Sequence, residues 1–294
     1  MPATAVALVL AAALLHALWN AIAKHARGDQ LFAFLQGASI VLFWWPAAWW
    51  FGRVSLAWGA AQWTAAFASA AVHIAYYAAL FRGYREADLT VVYPVARGTG
   101  PLITAAFAVL WLHERLTLLA TIGILSIGAG VFLIAGGLTL LRPPATTEAG
   151  AFARIRAGLR WGGLTGLTVA AYSAVDGYAI KVLLVNPVVY LYLSNVLRVA
   201  LQAPWVLRDR TALLQAARSQ WRHVVSIALL SPVAYVLVLL ALQQAPLSHV
   251  APTREASMLF AALLGGWMFQ ERDRASRLAG AALVAAGVAV LALG

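Results

Sequence analysis

The chain contains no cysteine, and only 11% of its 294 residues are charged. Without cysteine it can form no disulfide and use no thiolate chemistry. An ordinary soluble domain carries about 25% charged residues, whereas hydrophobic residues make up 63% of this chain. A single water-soluble core of this length cannot bury so much apolar surface. The composition therefore predicts an integral membrane protein that lies in a lipid bilayer.

Long apolar runs with very few charges take the place of the usual mixed composition. A helix needs roughly 20 apolar residues to span a bilayer, and the sequence accommodates ten such segments. We therefore predict an all-α membrane protein with ten transmembrane helices. The predicted spans are 3–23, 31–52, 57–81, 89–112, 116–140, 161–181, 187–207, 222–243, 249–269 and 276–293.

A break rich in proline and charge separates the fifth span from the sixth. It covers 141–160 and reads "LRPPATTEAGAFARIRAGLR". We predict that this segment is a cytoplasmic linker and that its basic part forms an interfacial helix. The linker divides the chain into a first five-helix half, 1–140, and a second five-helix half, 161–294.

The basic residues are distributed unequally between the two sides of the predicted bundle. Lys and Arg concentrate in the loops after spans 1, 3, 5, 7 and 9, and the opposite loops hold only Arg53, Arg115 and Lys181. By the positive-inside rule the basic loops are cytoplasmic, so we expect both termini outside the cytoplasm, in a bacterial-type cytoplasmic membrane. The net charge of +11 is then an orientation signal, and we expect no nucleic-acid partner.

The two halves share a residue pattern at a constant interval of 157 residues (254 − 97). Because each half holds five spans, an odd number, the two copies should cross the membrane in opposite directions. An inverted repeat is typical of secondary transporters, whose substrate site lies near the membrane midplane between the halves. The paired residues are Lys24 and Lys181, Arg53 and Arg210, Arg97 and Arg254, Glu114 and Glu271, Gly123 and Gly280, and Gly130 and Gly287.

Each half ends its fourth span with an apolar-x-Glu-Arg run, "LHER" in the first half and "FQER" in the second. Together with ten spans in two halves, this run resembles the EamA-type transporters of the drug/metabolite transporter superfamily. The resemblance covers essentially the whole chain, and "HALWNAIAK", which begins at His16, is similar to the first helix of small bacterial permeases, some of them associated with phosphonate use. The resemblance implies alternating access around a central cavity formed mainly by helices 1, 3, 4, 6, 8 and 9.

Most of these helices carry one polar stripe at a spacing of three or four residues, which places its members on one face. A stripe of this kind suits a bundle with lipid outside and a wet cavity inside, because polar groups facing lipid are costly. We predict that the stripes line the substrate site. The candidate substrate-binding residues are His16, Trp19, Asn20, His73, Tyr76, Tyr77, Tyr93, Arg97, Tyr172, Asp176, Ser231, Tyr235, Arg254 and Glu255.

Arg97 and Arg254 occupy equivalent positions in the two halves. The resemblance implies that they hold an anionic group, since distant sugar-phosphate exchangers use basic residues on these helices. The alternative is a structural ion pair with Asp176 or Glu255 that locks helices together. The two candidate histidines either pack through hydrogen bonds or carry protons. The candidates for proton exchange are Asp176, Glu255 and His16.

The sequence as a whole predicts a secondary transporter of small polar organic metabolites, such as amino acids or related anions, with export as the expected direction. A flippase for a phosphate-bearing lipid carrier and a sugar-phosphate or phosphonate permease are the alternatives. An enzyme is disfavoured because the chain has no H-E-x-x-H pair, no G-x-S-x-G elbow and no P-loop. A channel would need rings of like residues around a pore. We expect no cofactor and no metal, and a monomer or homodimer.

Overall fold

The structure, a computed structural model, describes residues 1–23, 29–53, 57–87, 89–135, 151–261 and 274–293, and all regular secondary structure within these ranges is helical. Lys24, the second Glu-Arg pair and residues 141–150 of the linker lie outside them. A helical stretch at 256–261 follows α9. The helices are α1 Ala3–Ala23, α2 Gln30–Gly52, α3 Ala60–Glu86, α4 Leu89–Trp111, α5 Leu118–Ile134, α6 Ala151–Lys181, α7 Pro187–Val206, α8 Arg210–Leu242, α9 Leu247–Thr253 and α10 Arg274–Leu293.

Two helices extend beyond their predicted spans at the N-terminal end. α6 begins at residue 151 rather than 161, and α8 begins at residue 210 rather than 222. The added turns of both helices are rich in Ala, Leu and Arg, which favour helix. α8 also has an N-cap, since the carboxylate of Asp209 accepts a hydrogen bond from the backbone N–H of Ala212 at 2.9 Å. The helices therefore continue past the apolar part of the sequence.

Four of the described helices are long and apolar enough to cross a membrane by length and composition alone, namely α1, α2, α3 and α8. Two shorter apolar helices lie at Leu118–Ile134 and Leu278–Leu293. The first of these, α5, begins where the Thr117 hydroxyl accepts a hydrogen bond from the N–H of Ala120 at 3.0 Å. A side-chain oxygen at this position satisfies one of the free N–H groups of the first turn.

Helices of the two halves pack against one another in matched pairs. α1 packs against α8, and α3 packs against α6. α2 packs against both α7 and α8, and α3 packs also against α7. α4 lies against α6 and α9, and the largest cluster of buried apolar residues joins α1, α2, α3, α4, α6, α7, α8 and α9. The core is therefore shared between the two halves.

Glycines bring α5 and α10 into backbone contact. A methyl group on Gly123 would lie 3.0 Å from the carbonyl oxygen of Gly287, and one on Gly130 would lie 2.6 Å from that of Gly280. Because the earlier glycine of α5 meets the later glycine of α10, the two helices run antiparallel. Small residues permit this close approach of helices in membranes. These glycines thus join the last described helices of the two halves within one chain.

Candidate functional site

A buried charge cluster forms where α4 meets the end of α9. The Arg97 Nη1 atom lies 3.3 Å from Glu255 Oε2, and Arg97 Nη2 lies 3.1 Å from His16 Nε2 on α1. The Nε atom of Arg254 lies 4.0 Å from Glu255 Oε1. The side chain of Glu255 is only 1% exposed. Two arginines from equivalent positions therefore share one buried carboxylate.

The chain at this point is interrupted as a helix. α9 ends at Thr253, residues 254–255 form a turn, and helix resumes at 256. The N–H of Glu255 donates to the Pro252 carbonyl at 2.9 Å, and the N–H of Met258 donates to the Glu255 carbonyl at 2.8 Å. These are bonds to the third preceding residue, which tighten the backbone relative to an α-helix. The interruption lies in the first third of the predicted ninth span, 249–269, and both charged residues, Arg254 and Glu255, are in it.

Asp176 on α6 forms a second buried polar centre. Its carboxylate accepts hydrogen bonds from the Tyr190 hydroxyl at 2.7 Å and from the Tyr235 hydroxyl. The residue is 1% exposed, and no cation forms an ion pair with it within the described ranges. Two phenol groups therefore solvate a buried carboxylate in place of an arginine.

Asp176 and Arg254 line one cleft between α6, α8 and α9. Its free volume is ≈ 10 Å³, which is room for about one water molecule. The Ser173 hydroxyl is buried and has no hydrogen-bond partner among the described residues. The lining residues are Ser173, Asp176, Tyr235, Val238, Leu239, Leu242, Leu247, Val250, Ala251 and Arg254. One carboxylate, one guanidinium and one free hydroxyl thus face an otherwise largely aliphatic wall.

Aromatic rings connect the two buried centres. The imidazole of His73 stacks on Tyr172 with ring centroids 4.4 Å apart, and Tyr172 lies 5.8 Å from Tyr76. The Arg254 guanidinium lies 6.0 Å from the centre of the Tyr172 ring. Within the described part of the chain, no acceptor hydrogen-bonds to that guanidinium. Arg254 is therefore held by ring contact and by the distant Glu255.

Most of the predicted site residues lie around these centres. Tyr93 stands beside Arg97, whose guanidinium is 5.6 Å from its ring centre, and Tyr77 packs 5.1 Å from Tyr76. Trp19 lies edge-on to His16 at 4.7 Å, and its buried indole N–H has no hydrogen-bond partner in the described part of the chain.

Two predicted residues, Asn20 and Ser231, form hydrogen bonds away from the two buried centres. The amide of Asn20 donates to the His16 carbonyl within α1 at 2.8 Å, and the Ser231 hydroxyl accepts from Gln36 at 3.1 Å. Tyr190 and Ser173, which reach the Asp176 region, are absent from the predicted set. The sequence offered one usable signal for Tyr190, a single tyrosine in the apolar first turn of α7. Among the described residues, no group of three or more His, Cys, Asp or Glu side chains could hold a metal ion.

The described helices form a bundle in which charged groups are buried between the two halves. The model of the "EamA-like transporter family" matches the chain twice, at 3–136 and 160–293. The chain therefore belongs to this family of multi-pass membrane transporters, and the predicted resemblance is confirmed. No curated protein matches the chain.

Solved structures match as well, in 28 chains. One, described only as "Crystal structure of protein", is similar with a TM-score of 0.76 and 17% sequence identity. The match covers 100% of this chain and 98% of the other. At this identity the likeness shows the fold alone.

Proposed function

We propose that the protein is a secondary carrier of small zwitterionic metabolites, with amino acids as the main class. The observation that carries this proposal is the cleft in which Asp176 and Arg254 face the same space without pairing. The carboxylate matches a substrate ammonium group, and the guanidinium matches a substrate carboxylate. The aliphatic wall favours a substrate with an apolar side chain. Export is the direction we propose, because the family resemblance favours it.

Arg97 has a different role in this proposal. Its bond to Glu255 keeps that carboxylate paired in the empty carrier, while Arg254 is available to the substrate. Glu255, Asp176 and His16 are the proposed groups for proton exchange, since all three face the two centres. Without a buried partner, any of these charges would be costly in a membrane.

A permease for phosphonates or sugar phosphates, or a flippase for a phosphate-bearing lipid, is the second candidate. The observation favouring it is the charge balance around Glu255, where two arginines face one carboxylate. One positive charge is left over, which suits a single anionic group. In this case Asp176 would serve only to fix the tyrosines.

We also propose that the two halves, 1–140 and 161–294, are related by inversion, with the linker 141–160 in the cytoplasm and both termini outside. The matched packing supports this relation, because the interval of 157 residues exchanges the α1–α8 and α3–α6 contacts. It also carries the Gly123–Gly287 contact onto the Gly130–Gly280 contact. A reporter active only in the cytoplasm, fused after residue 294, should be inactive, and strong activity would refute the orientation.

A thermal-shift screen of the purified protein tests the substrate class. A ligand at 100 times its dissociation constant stabilises the folded state by about 2.7 kcal/mol. We expect amino acids with apolar side chains to raise the melting temperature, and their desamino analogues to do so less. Asp176→Asn should remove this preference for the ammonium group. Stabilisation by phosphonates or sugar phosphates alone would favour the second candidate.

Liposome counterflow separates the soluble substrates from the lipid. For a soluble metabolite, exchange of labelled amino acid should occur without any added lipid carrier. Failure across the soluble panel, with binding of a polyprenyl phosphate, would favour the flippase.

A further inference from the structure

We propose that Glu114 is a positioning residue that closes the cleft by tying the start of α9 to the end of α4. This inference rests on the proposed carrier function only in assuming that the cleft opens during transport. The set of contacts made by Glu114, Lys181 and the first residues of α9 is named the Glu114 latch below.

The latch consists of short hydrogen bonds between the two halves. Glu114 Oε1 accepts from the backbone N–H of Leu247 at 2.8 Å. Its Oε2 accepts from the N–H of Ser248 at 2.9 Å and from the Ser248 hydroxyl at 2.7 Å. Lys181 stands beside it, with Nζ 3.6 Å from Oε1, and donates to the Ala245 carbonyl at 2.9 Å. Three donors and one cation therefore converge on one carboxylate.

α9 depends on this carboxylate because it has no cap of its own. The residue at its N-cap is Pro246, which makes no side-chain cap hydrogen bond. The first N–H groups of a helix are unsatisfied within the helix and favour a negative charge. Glu114 supplies both the acceptors and the charge from another part of the chain, with a side chain only 10% exposed. Such bonds are weakened little by solvent, since the group is largely buried.

The backbone before Glu114 is held in a conformation that side-chain-bearing residues rarely adopt. His113 has φ of 54°, in the left-handed region, and the N–H of Glu114 reaches back to the Ala108 carbonyl at 3.1 Å. A residue of this kind costs free energy unless its surroundings enforce it. The turn that ends α4 therefore aims the Glu114 side chain at α9.

The latch sits directly over the cleft. Leu242 at the end of α8 and Leu247 at the start of α9 both line the cleft, and Leu247 is also a latch donor. Asp176 precedes Lys181 by five residues on α6, a rise of about 8 Å. With a free volume of ≈ 10 Å³, the cleft cannot admit an amino acid while α9 stays in place. Movement of α9 away from α6 and α8 would break the latch bonds.

The Glu114 latch also gives a reason for the Glu-Arg run after the fourth span. The acidic residue of that run caps the interrupted helix of the other half, next to the residues of the proposed site. Its partner in the second half, Glu271, lies outside the described residues.

The absence of cysteine makes the test direct, since a single introduced cysteine is the only thiol. Val250→Cys places it on the cleft wall beneath the latch. We expect Glu114→Gln to speed labelling of this cysteine, by a membrane-impermeant maleimide added outside, about tenfold. The reason is that the amide loses the charge and one acceptor, and loss of a charge-assisted bond shifts an equilibrium by about this factor or more. Labelling needs no substrate. The outcome of this test is therefore independent of whether the proposed substrate class is correct.

Matched variants distinguish opening of the cleft from a general loss of packing in the protein. Ile127→Cys, in the core of α5 at 1% exposure, should stay slow in the Glu114→Gln background, and Leu184→Cys, at 79% exposure, should stay fast. Glu86→Gln, which disrupts an exposed contact with Arg82 and Trp161, should leave Val250 labelling unchanged.

Ser248→Ala, which removes only the hydroxyl donor, is the milder variant if Glu114→Gln does not fold. It should speed Val250 labelling two- to fivefold. Unchanged Val250 labelling in a folded Glu114→Gln or Ser248→Ala protein overturns the proposal. An equal rise at Ile127 also overturns it.

Discussion

α4 and the ninth span carry arginines at equivalent positions, yet they present them differently. α4 is one continuous helix from Leu89 to Trp111 in spite of two internal prolines, whereas α9 ends after seven residues and turns at Arg254. Arg97 projects from regular helix and bonds to Glu255 and His16. Arg254 stands at the break without a hydrogen-bonded acceptor in the described chain. The repeat therefore keeps the residue type and changes its surroundings.

The residue that follows each arginine explains the difference. Glu255 follows Arg254, and the equivalent residue after Arg97 is Gly98. A methyl group on Gly98 would meet no atom of the described residues within 4 Å. Only the second half supplies a carboxylate, and it reaches across to the arginine of the first half. Arg97 is thus hydrogen-bonded to this carboxylate, while Arg254 lies farther from it, at 4.0 Å; the proposed binding of a substrate by Arg254 rests on this difference.

The largest effect is expected from breaking the internal pair. Arg97→Gln leaves Glu255 buried with only the more distant Arg254, and removing one partner of a buried ion pair costs about 3–5 kcal/mol. We expect a clear fall in the melting temperature of the empty carrier in detergent, largely reversed in the double variant Arg97→Gln/Glu255→Gln. Arg254→Gln, measured alongside, should lower it much less. Equal melting temperatures for Arg97→Gln and Arg254→Gln would show that the two arginines do not differ in their contribution to stability.

Arg254→Lys should have an intermediate effect. It should change the affinity for the substrate and not the stability of the empty carrier. Lysine keeps the charge but loses the planar fork that grips a carboxylate. Losing one charge-assisted contact of about 1.5–3 kcal/mol raises the dissociation constant roughly ten- to a hundredfold. Titration of a stabilising amino acid from the thermal-shift screen measures this change, with the exposed Arg82→Lys as the control. If Arg254→Lys binds with normal affinity and a stable Arg97→Lys loses affinity, the roles are reversed. Arg97 would then bind the substrate, and Arg254 would form the internal pair with Glu255.

Gly98→Ala should have the smallest effect. Because no atom of the described ranges lies within 4 Å of the added methyl group, the helix gains the preference of alanine over glycine, worth about 1 kcal/mol at most. We expect a small rise in melting temperature and an affinity within about twofold of the original. Gly100→Ala is the matched control on the same helix, since its methyl group would lie 3.0 Å from Val169 Cγ1. A loss of stability in Gly98→Ala would mean that this face of α4 is closed.

The positions of the helices could be read from the sequence because they follow from long apolar runs. α1 and α7 begin and end within one residue of their predicted spans, and the interval between the two arginines was visible in the letters alone. The paired Glu-Arg run was enough to predict the family.

The partners of the buried charges could not be predicted in this way. The pairing of Glu255 with Arg97, the tyrosine donors to Asp176 and the capping of α9 by Glu114 all depend on how helices are rotated against each other. That rotation is set by tertiary packing, and local spacing fixes only which residues share a face. Tyr190 could not be predicted for this reason, because its hydroxyl donates a hydrogen bond to Asp176, which lies on another helix.

The contact between α5 and α10 has a consequence for how the two halves can diverge. Under the proposed inversion, the contact of Gly123 with Gly287 is equivalent by symmetry to the contact of Gly130 with Gly280. Such a contact occurs in two equivalent copies in the interface of a symmetric dimer. In two identical five-helix chains, a single glycine-to-alanine change would put a methyl group into both places at once. In one duplicated chain the same change affects one place, and its twin is preserved. Substitutions can therefore accumulate in either half separately. In this chain Glu255 follows Arg254, whereas Gly98 follows Arg97.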